Sequence, residues 1–282
     1  MSKRVVIRQA DLDTCVTAFV LGVVYSDEIV VTDRADASTL ADSSTLCIEV
    51  GGSGHVVSGN FDHHDAGGPS VPACRQAFDA TRHEGDVWLA RLISYAEMID
   101  LGQAVDYTIQ PAPPLLTISA LVSGIRLVEP TPERQLCRSL ALLEWLSRER
   151  LDPFTPAPPR PEWDDLISAK AKAAEVLQRV TAGAALSISS SGLLVGFLVA
   201  HAPGALGALY TRGCDVVVAY QPALRKYTIG GRDQRSVDHL LPFLNALEPG
   251  WGGPMQGSVI GSPFGGSSLA SNRIVDIVRE PV

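Results

Sequence analysis

The sequence reads RVVIRQADLD at residues 4–13, a β-branched run that ends shortly before two aspartates. The run Arg4–Arg8 has the composition of a buried strand, and the apolar residues from Cys15 to Gly22 predict a helix packed on a sheet. Asp11 and Asp13 then lie at the carboxyl end of a strand, where open α/β sheets bind their ligands. The stretch therefore predicts a parallel α/β fold with a site at the edge of its sheet.

Two more strand candidates, residues 28–32 and 45–50, continue this pattern. The second contains Glu49 near its end and is followed by the glycine-rich segment 51–54. Shortly afterwards the chain reads NFDHHDAGG at residues 60–68. An order of strand, helix, strand and strand, each ending in polar residues, is typical of a doubly wound, mainly parallel sheet.

The segment Asp62–His64 has two interpretations. Taken alone, the tripeptide is more often a polar turn whose histidines cap backbone groups. The acidic side chains that could join it, each near the end of a strand or helix candidate, are Asp11, Asp13, Glu49 and Asp100. Two carboxylates ~4 Å apart repel by about 4 kcal/mol at an effective dielectric constant near 20, so cations must neutralise such a cluster. One or two divalent ions would do so, and a carboxylate-rich set with imidazole favours Mn²⁺, with Mg²⁺ as the alternative.

Composition narrows the class of protein. Hydrophobic side chains make up 46% and charged side chains 19% of the 282 residues, which is typical of a folded protein. The formal net charge of -8 disfavours long duplex nucleic acid as a partner, because proteins that bind it usually carry a basic face. A small phosphorylated substrate or a short oligonucleotide stays compatible with this charge.

The cysteines and the apolar segments bear on location. Five cysteines are scattered without a CxxC pair, which indicates free thiols in a reducing cytoplasm. The N-terminus lacks the apolar core of a signal peptide. The uncharged span 180–211 is interrupted by serine, proline and glycine, so no apolar piece reaches the ~20 residues of a spanning helix. We therefore expect a cytoplasmic protein that does not enter the membrane.

The proline-rich segment 152–161 predicts a domain boundary, because its five prolines favour a stiff, extended connector. We expect one domain at residues 1–151, a linker at 152–162 and a smaller α/β domain at 163–282; the family resemblance given below implies that the first is the metal-binding catalytic domain and the second the substrate-binding domain, with a cleft between them. Apolar helices within residues 115–146 could bury themselves against a second subunit, so a homodimer is a further expectation.

Glycine-rich loops in the second domain are candidates for phosphate binding, and a last strand is expected after them at residues 273–278. Successive glycines and serines let backbone amides approach an anion, and an arginine could add a bidentate contact. The candidate residues are Gly252, Gly253, Gly265, Gly266, Ser267, Arg232 and Arg235. The alternative is an ordinary surface loop beside solvated arginines.

Together these motifs resemble the DHH phosphoesterase superfamily. The resemblance rests on Asp11-x-Asp13, an acid after the third strand, Asp62–His64, a later aspartate and a glycine-rich C-terminal part, and it covers nearly the full chain in layout. It implies a DHH-like domain followed by a DHH-associated domain that closes over substrate. The activity it implies is a divalent-metal-dependent phosphoesterase that hydrolyses a small phosphate ester, phosphodiester or short oligonucleotide with metal-activated water.

The resemblance also implies residue roles. The implied metal ligands are Asp11 on one ion, Asp13, His63 and Asp100 on the other, and Glu49 between them. Asp106 is the rival of Asp100 for the last ligand. The implied catalytic residues are His64, which would contact the phosphate as an electrophile or proton donor, and Asp62.

Three positions depart from the family pattern. Gln9 stands where the first motif has a histidine, Glu49 stands where the second motif has an aspartate, and Pro254 follows the two glycines where a histidine is usual. An amide is a poorer ligand for Mn²⁺ than imidazole, and glutamate is one methylene longer than aspartate. The alternative function is therefore a catalytically weakened or inactive phosphate- or nucleotide-binding protein of the same fold.

Overall fold

The computed structural model describes residues 2–65, 71–81, 85–103, 105, 116–199, 204–253, 257–263 and 265–280. The chain forms two compact units, Met1–Ala171 and Lys172–Val282. Each unit contains a β-sheet and a hydrophobic core of its own.

The first unit contains a four-stranded sheet in which every pair of neighbours is parallel. Its strands are β1 Arg4–Ile7, β2 Glu28–Val31, β3 Thr45–Ile48 and β4 Asn60–Phe61, in the order β2-β1-β3-β4. Ile7 lies opposite both Val31 and Ile48, and Ile48 lies opposite Phe61. All four strands thus end at one edge of the sheet, where the loops after β1, β3 and β4 emerge side by side.

Helices cover both faces of this sheet. In the described part of the unit they are α1 Leu12–Val20, α2 Ala37–Ala41, α3 Ala73–Thr81, α4 Val87–Asp100, α5 Ile118–Val128, α6 Pro132–Arg148 and the start of α7 Asp164–Ala182. Val5 and Ile7 bury against the larger core with Leu92 and Leu121, whereas Val6 buries in a smaller cluster on the other face. Because successive strand residues point to opposite faces, both faces are covered. The expected α/β fold with a parallel sheet is confirmed.

The segment 152–162 packs against the first unit. The ring of Phe154 lies edge-on to that of Tyr95 with the ring centroids 5.5 Å apart, and Trp163 is buried in the same core. The two units divide after Ala171, within α7. This division lies beyond the predicted linker, because half-buried Phe154 packs against the core of the first unit and Trp163 is buried in it.

The second unit is a mixed α/β structure with a five-stranded sheet. Its strands follow one another in space as in the chain: β5 Ala185–Ile188, β6 Leu194–Val199, β7 Val216–Gln221, β8 Lys226–Gly231 and β9 Val259–Gly261. Only β6 and β7 run parallel; the other pairs are antiparallel. The helices in its described part are α8 Ala205–Tyr210, α9 Leu241–Leu247 and α10 Ser271–Arg279. Ile229, Ile260 and Trp251 lie in its main core.

The predicted last strand at residues 273–278 is wrong, because these residues form α10. Ile274 and Val278 are buried four residues apart on one face of the helix. The β-branched composition favoured a strand, but the spacing of the apolar side chains is helical. The edge of the sheet is instead β9, which lies inside the glycine-rich region.

The uncharged span 180–211 contributes the end of α7, β5, β6 and α8 where it is described. Across the described residues of the whole chain, no helix is both long enough and apolar enough to cross a membrane.

Candidate metal centre

Four segments of the first unit bring acidic and imidazole side chains to one edge of the sheet. Asp13 lies in the first turn of α1, Glu49 directly follows β3, His63 follows β4, and Asp100 is the last residue of α4. Potential ligand atoms of Asp13, His63 and Asp100 lie within 4.8 Å of one another, and so do those of Glu49, His63 and His64. Residues far apart in the sequence therefore converge on His63.

Two buried atoms in this cluster lack a hydrogen-bond partner. The Nε2 atom of His63 lies 3.7 Å from Oε1 of Glu49 and 3.5 Å from Oδ2 of Asp100, which is too far for a good hydrogen bond. Both His63 Nε2 and Glu49 Oε1 are buried without a partner among the described residues. A buried polar atom without a partner costs about 1–3 kcal/mol, and a cation between these two atoms would satisfy both. Carboxylate and imidazole donors suit Mn²⁺ and related divalent ions, so the residues fit the expected metal.

Glu49 has a strained backbone. Its φ of 59° lies in the left-handed region, which few residues other than glycine, asparagine and aspartate adopt. The residue is 7% exposed, and Nδ1 of His64 lies 3.1 Å from its Oε2. Strain of this kind persists where surrounding contacts impose it, and it is concentrated at functional sites. Glu49 thus offers one carboxylate oxygen to His64 and the other to the ligand cluster.

Asp13 is fixed by the start of α3. Its two carboxylate oxygens accept hydrogen bonds from the backbone N–H groups of Ala73 and Cys74, each at 2.9 Å. Burial raises the pKa of Asp13, although these hydrogen bonds oppose the shift. The side chain therefore acts as both a candidate ligand and an anchor for a helix N-terminus.

Asp62 positions the adjacent loop. Its carboxylate accepts hydrogen bonds from the backbone of Gly51, from the hydroxyl of Ser53 and from the backbone and ring of His64. Burial acts to raise the pKa of Asp62, but these hydrogen bonds outweigh it and the pKa lies below its ordinary value. Both oxygens of Asp62 are engaged in its own loop, which favours a positioning role, and its expected catalytic role stays a prediction.

His64 is held as a cation. Hydrogen bonds with the carboxylates of Asp62 and Glu49 raise the pKa of its imidazole to about 10. Its side chain is 55% exposed, so a charged N–H donor is presented at the surface of the centre. His63, by contrast, has a lowered pKa because of burial and the neighbouring charge of His64. The two adjacent histidines therefore differ in protonation, with the neutral one suited to ligation.

Asp11 is not part of either ligand group among the described residues. It is the N-cap of α1, where its Oδ1 accepts the backbone N–H of Thr14 at 3.0 Å. Its Oδ2 accepts a hydrogen bond from the side-chain amide of Gln9 at 2.6 Å. These contacts give Asp11 a capping role, and its predicted role as a metal ligand stays a prediction. Asp106, the rival of Asp100, lies outside the described residues.

The loop at residues 265–268 does not form the expected phosphate-binding nest. The backbone N–H groups of Gly266 and Ser267 donate to carbonyl oxygens of the same unit at 2.9 and 2.7 Å. The carboxylate of Glu248 accepts the hydroxyl of Ser267 and the backbone N–H of Ser268. These internal acceptors already use the amides of Gly266 and Ser267 and disfavour a phosphate role for them, which stays a prediction. Gly265 is exposed at the start of the loop, and its role stays a prediction.

The other two glycines shape a turn beside β9. The backbone N–H of Gly252 donates to Gly261 at 3.1 Å, which forms an isolated β-bridge. A Cβ atom on Gly253 would lie 2.6 Å from the carbonyl oxygen of Val259, so close packing requires glycine there. Packing is sufficient to explain both residues, and their phosphate role stays a prediction.

The two candidate arginines differ in their surroundings. The guanidinium of Arg232 pairs with the carboxylate of Asp215 at 2.8 Å, so it already has an anionic partner. Arg235 is exposed, and its side chain has no ion pair with the residues that the structure describes. Of the two, Arg235 stays available for a phosphate.

The residues that fix the ligands are harder to find from sequence. The amides that hold Asp13 belong to α3, about sixty positions further along the chain. In the sequence, Pro72 just before α3 is a residue that indicates the start of a helix. The guanidinium of Arg126 donates to Oε1 of Gln9 at 3.2 Å, across a separation that no local pattern reveals.

The metal-free centre is expected to make stability depend on pH. Burial raises the pKa of Glu49 to about 7, and burial with the nearby Asp13 raises that of Asp100 to about 7. The folded protein then holds protons near pH 7 that the unfolded chain has released, so the free energy of unfolding falls as pH rises from 6 to 8. For Glu49 alone the loss is about 1.4 kcal/mol.

Urea titrations in EDTA at pH 6 and pH 8, with Glu49→Gln beside the wild type, measure this effect. The variant should show a smaller fall over the interval. Equal falls in both proteins would refute the assignment. Affinity for Mn²⁺ should rise over the same interval, because binding requires the deprotonated carboxylates.

The fold of the chain is similar to that of two solved structures. Among solved structures, a pGpG-specific phosphodiesterase, PggH from Vibrio cholerae, is similar over 98% of this chain and 97% of its own, with a TM-score of 0.58 and 14% sequence identity. The DHH domain of a member of the s1p family of ribosomal proteins is similar over 92% of this chain and 82% of its own, with a TM-score of 0.58 and 12% identity. No protein-family profile and no curated protein sequence matches the chain. The expected resemblance to the DHH superfamily is confirmed in the fold.

Proposed function

We propose that the protein is a divalent-metal-dependent phosphoesterase that hydrolyses a small phosphodiester or a short oligonucleotide. The observation that carries the proposal is the buried pair of unpartnered atoms, Glu49 Oε1 and His63 Nε2, at the strand ends of a DHH fold. The similar structure of a phosphodiesterase specific for pGpG supports a small phosphodiester as the substrate class. The net charge of -8 is consistent with such a ligand.

The candidate ligands for the ion are Asp13, Glu49, His63 and Asp100. A bound divalent ion lowers the pKa of water towards neutrality and neutralises charge on the phosphoryl oxygens. The imidazole among the donors favours Mn²⁺ over Mg²⁺. Asp13 and Glu49 are held in place by α3 and by the strained turn after β3, so the ligand set is preorganised.

His64 is suited to act on the substrate. Its imidazolium is anchored by the carboxylates of Asp62 and Glu49 and is half exposed, so its charge faces an incoming phosphate. A charged N–H donor in this position binds a phosphoryl oxygen or gives a proton to the leaving oxygen. Asp62 fixes the orientation of the ring through the hydrogen bonds of its own loop.

The proposal also covers a phosphate contact from the second unit, the cellular location and the oligomeric state. Arg235, exposed on the second unit, is a candidate phosphate contact, and the second unit would act as the substrate-binding domain. All five cysteines are free thiols, which is consistent with a reducing, cytoplasmic environment. A homodimer through the α5–α6 region is retained as a proposal.

Hydrolysis of bis(p-nitrophenyl) phosphate and of pGpG, with Mn²⁺ or Mg²⁺ and with EDTA, tests the function. Turnover should require the metal, stop in EDTA and be faster with Mn²⁺. A protein that contains no metal after purification, binds no Mn²⁺ by calorimetry and turns over neither compound would refute the proposal.

A second candidate is a binding protein without turnover. The observation that favours it is Asp11, whose carboxylate is engaged by Gln9 and Thr14 and stands outside the ligand groups of the described residues. Calorimetric binding of pGpG with Mn²⁺, together with an absence of products over hours, would support this candidate. Metal-dependent turnover would exclude it.

A further inference from the structure

We propose that the centre holds a single metal ion and that Arg126 supplies a second positive charge for the substrate phosphate. This inference rests on the proposed function and specifies how the centre binds its substrate. It concerns Arg126, Gln9 and Asp11, which form a chain of hydrogen bonds beside the candidate ligands.

The first step is the fixed position of Gln9. Its Oε1 accepts a hydrogen bond from the guanidinium of Arg126 at 3.2 Å, and its Nε2 donates to Oδ2 of Asp11 at 2.6 Å. A guanidinium can only donate and a carboxylate can only accept, so this orientation of the amide is the one the partners allow. Gln9 lies two residues beyond the end of β1, at the same edge of the sheet as the ligands.

The second step is the number of ions. Both oxygens of Asp11 accept hydrogen bonds, and neither ligand group of the described residues contains Asp11. The two ligand groups share His63, and its Nε2 lies 3.7 Å from Oε1 of Glu49 and 3.5 Å from Oδ2 of Asp100. A ring nitrogen has one lone pair and binds one ion. The geometry therefore provides one well-formed metal site.

The third step is the free charge of Arg126. The residue lies in the last turn of α5 and is exposed, and no carboxylate pairs with it in the ranges that the structure covers. The neutral amide of Gln9 stands between the guanidinium and Asp11, so Arg126 is held beside the centre without being neutralised by that carboxylate. A guanidinium in this state matches a phosphate with two parallel N–H donors.

The substitutions Arg126→Ala, Arg126→Lys and Gln9→Ala test the inference, with Arg134→Ala as the matched control. Arg134 is an exposed arginine of α6 whose side chain is 69% exposed, and it has no part in the centre. The first measurement is calorimetry with Mn²⁺ alone. One ion per chain is expected in the wild type and in Arg126→Ala, and two ions per wild-type chain would overturn the inference.

The second measurement is calorimetry with inorganic phosphate on the Mn²⁺-loaded proteins. Arg126→Ala should weaken binding by at least about tenfold, because the phosphate loses charge-assisted hydrogen bonds from the guanidinium. Arg126→Lys should recover part of the loss, and Gln9→Ala should weaken binding less than Arg126→Ala. Arg134→Ala should bind as the wild type does. Equal affinities in Arg126→Ala and the wild type, or no phosphate binding by the wild type, would overturn the inference.

The third measurement separates this inference from the proposed function. With bis(p-nitrophenyl) phosphate, Arg126→Ala should raise KM by about tenfold or more and change kcat less, whereas a merely structural defect would lower the melting temperature and reduce the fraction of active protein. A wild type that binds one Mn²⁺ and phosphate through Arg126 without turnover would refute the proposed hydrolysis alone. If the wild type hydrolyses the substrate and Arg126→Ala has the same KM as the wild type, the role of Arg126 alone is refuted.

Discussion

Replacing His63 by alanine is expected to lower kcat/KM for a phosphodiester by at least about 100-fold, since even partners that only orient a metal ligand contribute 10–100-fold. The physical reason is the position of Nε2, which faces both Glu49 and Asp100. Without the imidazole the remaining candidate donors are carboxylates that repel one another. The loss should appear in Mn²⁺ affinity as well as in turnover.

The fold should survive this substitution, because His63 Nε2 has no hydrogen-bond partner to lose among the residues that the structure describes. Metal content, calorimetric affinity for Mn²⁺, kcat/KM and the melting temperature in EDTA are the required measurements. His239→Ala is the matched control, since His239 is exposed on the second unit. If His63→Ala binds Mn²⁺ and hydrolyses substrate as His239→Ala does, the metal centre is misassigned.

Asp13→Ala is expected to behave differently and to destabilise the metal-free protein by about 2–4 kcal/mol. Asp13 is 2% exposed, and its carboxylate accepts hydrogen bonds from the first N–H groups of α3, those of Ala73 and Cys74. Its removal leaves two buried donors without partners. Removing the charge of Asp13 also relieves its repulsion from the other carboxylates, which offsets part of this cost. The offset is smallest at pH 6, because Glu49 and Asp100 are largely protonated there.

Urea denaturation in EDTA at pH 6 measures this effect. Asp36→Ala is the control, because Asp36 is also an N-cap aspartate of the first unit but caps the exposed helix α2, and a smaller loss is expected there. A wild-type stability for Asp13→Ala would show that α3 does not depend on this carboxylate. Loss of activity in Asp13→Ala alone cannot identify a ligand, so the His63 variant is the sharper test of the centre.

The first unit was largely predictable because its signals are local. The β-branched runs of β1, β2 and β3 identify the strands, and a parallel sheet then places the ends of β1 and β3 together. This topology brings Asp13 and Glu49 to one edge before any side chain is considered. The sequence predicts the strands and the parallel sheet, and the strand order that brings these residues together is seen in the structure.

The exact roles of the acidic residues depend on contacts that no local pattern encodes. Asp11 and Asp62 have the same residue type as Asp13, yet hydrogen bonds to Gln9 and to the backbone of the 51–64 loop engage their oxygens. Which of several aspartates keeps a ligand atom facing the centre is decided by tertiary packing. The sequence therefore predicts which residues come together, but it does not predict which of them ligate a metal and which position the loop.

The second unit was harder to predict for a different reason. Glycine and serine repeats are compatible with an anion site and with a tightly packed turn, and the carboxylate of Glu248 decides for the latter at Ser267. In α10, β-branched residues favour a strand by composition while their spacing is helical. Local propensity is a weak guide where packing of a single face determines the element.

The left-handed turn at Glu49 has a consequence for how this chain would change under selection. The residue combines an unfavourable backbone conformation with a buried, incompletely paired carboxylate. Glycine at this position would therefore give a more stable fold if stability were the sole requirement. A lineage that no longer needed the chemistry would be free to discard Glu49 early. Retention of Glu49 in related sequences would therefore indicate a requirement for its side chain.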